Sequence, residues 1–121
     1  MDANALMLPV EFGVRVFEEL DRLLEDYEAV VPAAVRAELE KLAATGGEAG
    51  KAASVGADLA DRCATVAATE SYADDALYEL ATAGDVDAVV TNDAPLRDRL
   101  LDAGVPVIHL RGRNQLTITR P

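Results

Sequence analysis

The sequence contains no tryptophan, one cysteine, one histidine and only five aromatic residues in 121. Without large rings, the core has to be assembled from Ala, Val and Leu; half of the residues are hydrophobic, so the material is there. Cys63 alone cannot form an internal disulfide, and its setting in LADRCATVAA reads as small-residue packing. Lysine is nearly missing too. Lys41 and Lys51 stand beside nine arginines against 22 acids, for a formal net charge of −11. So little base argues against the basic stripe usual in nucleic-acid binders, an objection that high salt or bound cations would weaken. The acids are spread over helical segments and not gathered in a tail, which argues against disorder. A solvated acidic surface of this kind suits a salt-rich cytoplasm. No apolar run reaches membrane length, and no signal-peptide pattern opens the chain, so a soluble cytoplasmic protein of one domain, residues 1–121, is expected.

What is present is an alternation of helical and strand patterns. Phe17, Leu20 and Leu24 share one face of a helix within PVEFGVRVFEELDRLLEDY. YEAVVP is a short buried strand, and Pro32 suits the first turn of AAVRAELEKLAA, with Val35, Leu39 and Leu42 inward. TGGEAG reads as a loop, KAASVGADLADRCA as a helix weakened by Gly56, ATVAAT as a strand, and ESYADDALYELATAG as a helix ending at Gly84. DAVVT, VPVIHL and QLTIT are further strands, the last at an edge. The helix APLRDRLLDAG and the polar turn RGRN lie between them. Such alternation implies βαβ crossovers and a mainly parallel sheet between helices, with ligands collecting at the carboxyl ends of the strands.

Asp93, in VVTNDAPL, sits at one of those ends. Asp or Asn before an early Pro is an ordinary helix cap. Glu38 and the pair Asp74 and Asp75 also follow strands, and Asp2 precedes the first helical pattern. Each has an ordinary explanation: Asp2 as a frayed end or cap, Glu38 paired with Lys41, Asp74 and Asp75 at a helix's positive end. Gathered on one edge, they would repel strongly unless hard divalent cations lay among them.

DANAL, VPAAVRAELEKL, YADDALYELA and VVTNDAPLRDRLLDAGVPVIHLR, in that order, resemble the motifs of PIN-domain ribonucleases over nearly the whole chain. The likeness is closest to archaeal stand-alone PIN proteins and their relatives in small-subunit ribosomal RNA processing. Each motif is short and mostly apolar; the specificity lies in having four in sequence. The resemblance implies a three-layer α/β/α fold with a mainly parallel central sheet. It also implies a metal-dependent endoribonuclease that uses Mg²⁺ or Mn²⁺ to hydrolyse RNA phosphodiester bonds. Asp2 matches the first acid of the family, with Asn4 as its polar neighbour. Glu38 matches the second, Glu40 fitting less well. Asp75 matches the third, opening a D-A-L triplet, with Asp74 as a further metal ligand beside it. Asp93 matches the fourth, with Thr91 placed to hydrogen-bond a ligand carboxylate.

One departure stands at the front: only Met1 precedes Asp2 where the family has a full hydrophobic strand leading to its first acid, so either the start of the chain is misassigned or the first strand is truncated or missing. No side-chain nucleophile is expected. His109 lies within a strand and reads as structural. Arg111 and Arg113 are weak candidates for the RNA backbone, evenly balanced against a solvated turn. RNA is the expected partner and no membrane is involved. A homodimer, an antitoxin and a ribosome-assembly partner stay open. The alternatives are a PIN-like binding scaffold without turnover and a toxin nuclease. A phospho-receiver is set aside because both lysines come too early.

Overall fold

Two helices, not one, fill the first helical stretch. The computed structural model describes residues 1–67 and 72–121. In it α1 spans Ala3–Phe12 and α2 spans Val16–Leu23. The single helix expected from Pro9 onward is corrected by Gly13, whose φ of 69° closes α1 and sends its N–H to the carbonyl of Pro9. The sequence gives little sign of α1 because Ala3, Ala5, Leu6, Met7 and Leu8 are all buried and only Asn4 and Glu11 mark a polar side, too few to set a clear amphipathic period.

The remaining elements are β1 (Val30–Pro32), α3 (Ala33–Ala43), α4 (Gly47–Ala60), β2 (Ala64–Val66), α5 (Ala73–Thr82), β3 (Val89–Val90), α6 (Ala94–Asp102), β4 (Val107–Arg111) and β5 (Gln115–Thr119). The loop expected over 45–50 is therefore shorter, because α4 already begins at Gly47. The expected strand over 64–69 and helix from 70 both run partly outside the described residues. No helix among the described residues is long and apolar enough to cross a membrane.

The expected parallel sheet is present in two pieces. β1 pairs with β2 in parallel, and β3 with β4 in parallel, while β5 returns antiparallel on β4 as an edge. Met1 and Asp2 lie between the pieces. The α-amino group of Met1 donates to the carbonyl of Val30 at 3.0 Å, and the amide of Asp2 to that of Val90 at 3.1 Å. The order across the sheet is thus β2, β1, the Met1–Asp2 rung, β3, β4, β5.

Leu6, Leu39, Leu96, Leu100 and Ile108 are among the fully buried side chains, so the core is aliphatic, as a ring-poor composition requires. α1 packs tightly on α4. A Cβ at Gly56 would stand 3.0 Å from the carbonyl oxygen of Leu6 and 3.1 Å from a methyl of Leu39. The glycine that weakens α4 by propensity is what lets α1 lie against it. That seat holds the helix whose N-terminus carries Asp2.

Candidate active site

Asp2 is the N-cap of α1: its Oδ1 accepts from the amide of Ala5 at 2.8 Å, and only 3% of the residue is exposed. Its other oxygen accepts a short hydrogen bond from the hydroxyl of Thr91, which is itself buried. Thr91 has one proton and gives it to Asp2, so its oxygen is left to accept from the amide of Asp93 at 3.1 Å. A continuous polar link thus runs from the loop after β3 to the start of α1.

Burial pushes the Asp2 carboxyl up to about 6 from a reference value of 3.8. The bonds from Thr91 and Ala5 and the charge of the Met1 amino group oppose this, while the charge of Asp74 adds to it. Desolvation also holds the Met1 amino group below its usual range.

Asp93 caps α6, where its Oδ1 accepts from the amide of Leu96 at 3.1 Å, with Pro95 in the first turn. Glu38 lies on the exposed side of α3 and makes no salt bridge with Lys41. Partial burial, then the charge of Asp74, raises its carboxyl pKa. Asp74, in the first turn of α5, is raised by partial burial and then by Asp93 and Asp75, with Arg99 pulling the other way. Asp74 is therefore the group through which the acids sense one another: it acts on Asp2 and Glu38 and is acted on by Asp93.

Its neighbour Asp75 is engaged elsewhere. It accepts from Arg99 at 3.3 Å, and the Arg99 guanidinium also lies 4.5 Å from the Tyr78 ring centroid. No local signal in the sequence pairs Arg99 with Asp75, which lies 24 positions earlier. Among the described residues, no three acid, His or Cys side chains converge tightly enough to form a metal-binding group.

The other residues singled out in the sequence sit around this edge or away from it. Asn4 is exposed on α1, and Glu40 is exposed on α3, roughly 200° around the helix from Glu38. Arg111 ends β4 and Arg113 lies in the following turn, both exposed. Because β3 and β4 run parallel, the end of β4 lies on the same edge of the sheet as Thr91 and Asp93. His109 bonds the Thr119 hydroxyl at 2.6 Å and the Leu110 carbonyl at 3.2 Å, a strand-to-strand contact.

Compared by sequence with curated proteins, the chain matches none. Among solved structures it is similar to the PIN domain endonuclease Utp24, with a TM-score of 0.79 and 25% sequence identity. That similarity covers 99% of this chain and 89% of the other. The sequence matches the family described as PIN like domain over residues 1–113. With the fold and nearly the full length in agreement, the chain belongs to the PIN-like domain family, whose general activity is that of a nuclease.

Proposed function

We propose that this chain is a divalent-cation-dependent endoribonuclease whose working edge is formed by Asp2, Glu38, Asp74 and Asp93. One observation carries the proposal. Asp2 and Asp93 are joined through Thr91 at the carboxyl end of β3, and Asp74 lies within electrostatic reach of Asp2, Glu38 and Asp93, its charge raising the proton affinity of Asp2 and Glu38. Such a grouping is costly when ionised unless positive charge joins it. In kind, an all-oxygen carboxylate set fits Mg²⁺ or Mn²⁺. Asp2, Glu38, Asp74 and Asp93 would hold the ion, which supplies Lewis acidity and a more acidic water.

The chain's own contribution is placement. Thr91 fixes the orientation of Asp2 and, through the amide of Asp93, ties it to the α6 cap. Asp75 holds Arg99 beside Asp74, where its charge moderates the crowd of acids. In this reading Arg111 and Arg113, exposed at the same edge, would meet a phosphate backbone. RNA as substrate, ribosomal RNA processing, an archaeal source and a cytoplasmic location are parts of the same proposal.

The test is cleavage of single-stranded RNA in Mg²⁺ or Mn²⁺. Asp93→Asn keeps a good helix cap and removes the charge, so the protein should stay folded while cleavage falls at least a hundredfold. Cleavage undiminished in folded Asp93→Asn would refute the site. A scaffold that binds without turnover is the second reading, favoured by the lack of a converged ligand group among the described residues. RNA binding with no cleavage in either metal would establish it.

A further inference from the structure

The exposed large hydrophobic side chains among the described residues are Phe12 and Tyr72. Phe12 closes α1 at the end away from Asp2. Tyr72, 75% exposed, is the N-cap of α5, two residues ahead of Asp74. Its carbonyl accepts from the amide of Ala76 at 2.9 Å, so the helix fixes where the ring is displayed. Further along α5, the Arg99 guanidinium lies 4.5 Å from the centroid of the Tyr78 ring and donates to Asp75 at 3.3 Å. Even so, the Arg99 side chain is half exposed. It borders an open hollow of about 330 Å³ lined also by Asp75, Tyr78 and Glu79. Tyr72, Asp75 and Tyr78 follow at three-residue intervals and so share one side of α5, with ~9 Å of rise from first to last. Arg99 lowers the proton affinity of Asp74, which ties this side to the acidic edge.

Charge decides what such a face can hold. Asp75 and Glu79 line the hollow beside Arg99, so a phosphate gains little there, and the whole chain carries −11. A nucleobase is planar and uncharged. It stacks on aromatic rings and on guanidinium planes alike, and a guanidinium already seated on one ring has a second face to offer. Bases inside a duplex are stacked on one another, so only an unpaired strand can present them.

We propose that this side of α5, with Arg99 from α6, is a base-stacking subsite for an unpaired stretch of the RNA beside the cleaved bond. One base lies on the Tyr72 ring and a neighbouring base on the Arg99 guanidinium. The inference rests on the reading that the acidic edge cleaves RNA, and it narrows the substrate to single strands. It also gives an acidic protein a way to hold RNA by faces that carry no charge, where salt has little to screen.

The probe is a labelled, unstructured RNA of about 12 nucleotides, titrated with the full chain in Mg²⁺ and about 0.5 M KCl. Asp93→Asn is present throughout so that the strand stays whole. Adding Tyr72→Ala should weaken binding about tenfold at an unchanged melting temperature, because the ring is exposed. Tyr72→Trp, which keeps an aromatic face, should bind at least as well as Tyr72. Arg99→Ala should weaken binding about fivefold, and Arg99→Lys, which keeps the charge and loses the plane, should do the same. The same sequence as a duplex should bind at least tenfold more weakly. Undiminished affinity in Tyr72→Ala, a loss in Tyr72→Trp equal to that in Tyr72→Ala, a duplex bound as tightly, or no binding at about 1 mM each overturns the proposal. Tyr72-dependent binding by a chain that cleaves nothing supports the subsite and counts against the nuclease reading alone.

Discussion

Asp2 is asked to be a buried helix cap and a carboxylate in an acidic neighbourhood, and the two demands set a measurable proton balance. Its pKa is about 6 folded against 3.8 as a reference, so between those values the folded protein keeps a proton that the unfolded chain has lost. A raised value contributes stability that is full below pH 4 and is lost as pH rises through about 6, a change of roughly 3 kcal/mol. Glu38 and Asp74 are raised as well and act in the same sense. Glu19, lowered by Arg22 and the amide of Leu116, acts in the opposite sense and loses its contribution as pH falls. The Met1 amino group, held below its usual range by burial, also acts in the opposite sense, its contribution growing as pH rises. Asp2→Asn, which keeps the cap but not the titration, should therefore lose less stability, or gain more, from pH 4 to 7 than the metal-free parent protein. Parallel denaturation curves for the two proteins would sink the assignment. The neighbouring acids give a second expectation. Mn²⁺ should raise the melting temperature at pH 7, and Asp74→Asn should remove most of that rise. Asp75→Asn should leave more of it, because the Asp75 carboxylate is held by Arg99. Equal losses in both variants would return Asp75 to the ligand set.

The helix α1 shows where sequence patterns run out. β1, α3, β3, α6, β4 and β5 are legible because each obeys a simple period or boundary: Val35 and Leu39 repeat on α3, Leu96 and Leu100 on α6, and turn residues close the strands. α1 has only Asn4 and Glu11 as polar positions, too few to set a period, and Gly13 is a break inside a stretch whose apolar residues continue on both sides. For the site, the caps formed by Asp2 and Asp93 can be read from local chemistry, since cap residues and their helices are adjacent in sequence. Adjacent acids on a helix differ by roughly 100° in direction, so only a partner distant in sequence separates Asp74 from Asp75. The Met1–Asp2 rung is likewise set by Val30 and Val90, far along the chain. Gly56 is the instructive case, because propensity and packing give opposite signs there. Alanine would gain about 1 kcal/mol as a helix former. Its methyl would meet the backbone of Leu6, which is buried in α1 and has little room to yield. Overpacking typically costs about 1–3 kcal/mol, so Gly56→Ala should be net destabilising by about 1 kcal/mol in chemical denaturation. It should also weaken Mn²⁺ stabilisation by shifting Asp2. A more stable Gly56→Ala would show that α1 moves freely on α4.

A charge of −11 spread over 121 residues makes the folded molecule repel itself and repel RNA. Five ion pairs join described residues, in most of which at least one partner is half exposed or more, and such pairs are worth about 0–1 kcal/mol each. Salt weakens those pairs and also screens the net repulsion, with a Debye length falling from ~10 Å at 0.1 M to ~3 Å at 1 M. Because acids outnumber bases two to one, the screening of repulsion should win. The melting temperature should rise by roughly 5 °C or more between low salt and 1 M KCl, about 1–2 kcal/mol for a domain of this size. A fall, or precipitation in molar KCl, would count against a surface suited to salt. The same imbalance reverses the usual salt dependence of a nucleic-acid enzyme. A basic binder loses RNA affinity steeply from 50 to 200 mM salt because counterions are released. Here the long-range force is repulsive, and under the proposed function Arg111, Arg113 and cations held at the acidic edge would supply the attraction for phosphate. RNA association at fixed Mg²⁺ should therefore quicken, or hold level, as KCl rises over that range. Stopped-flow rates with a labelled single strand measure it directly. A loss of tenfold or more across the range would mean that a basic surface, not bound cations, meets the RNA.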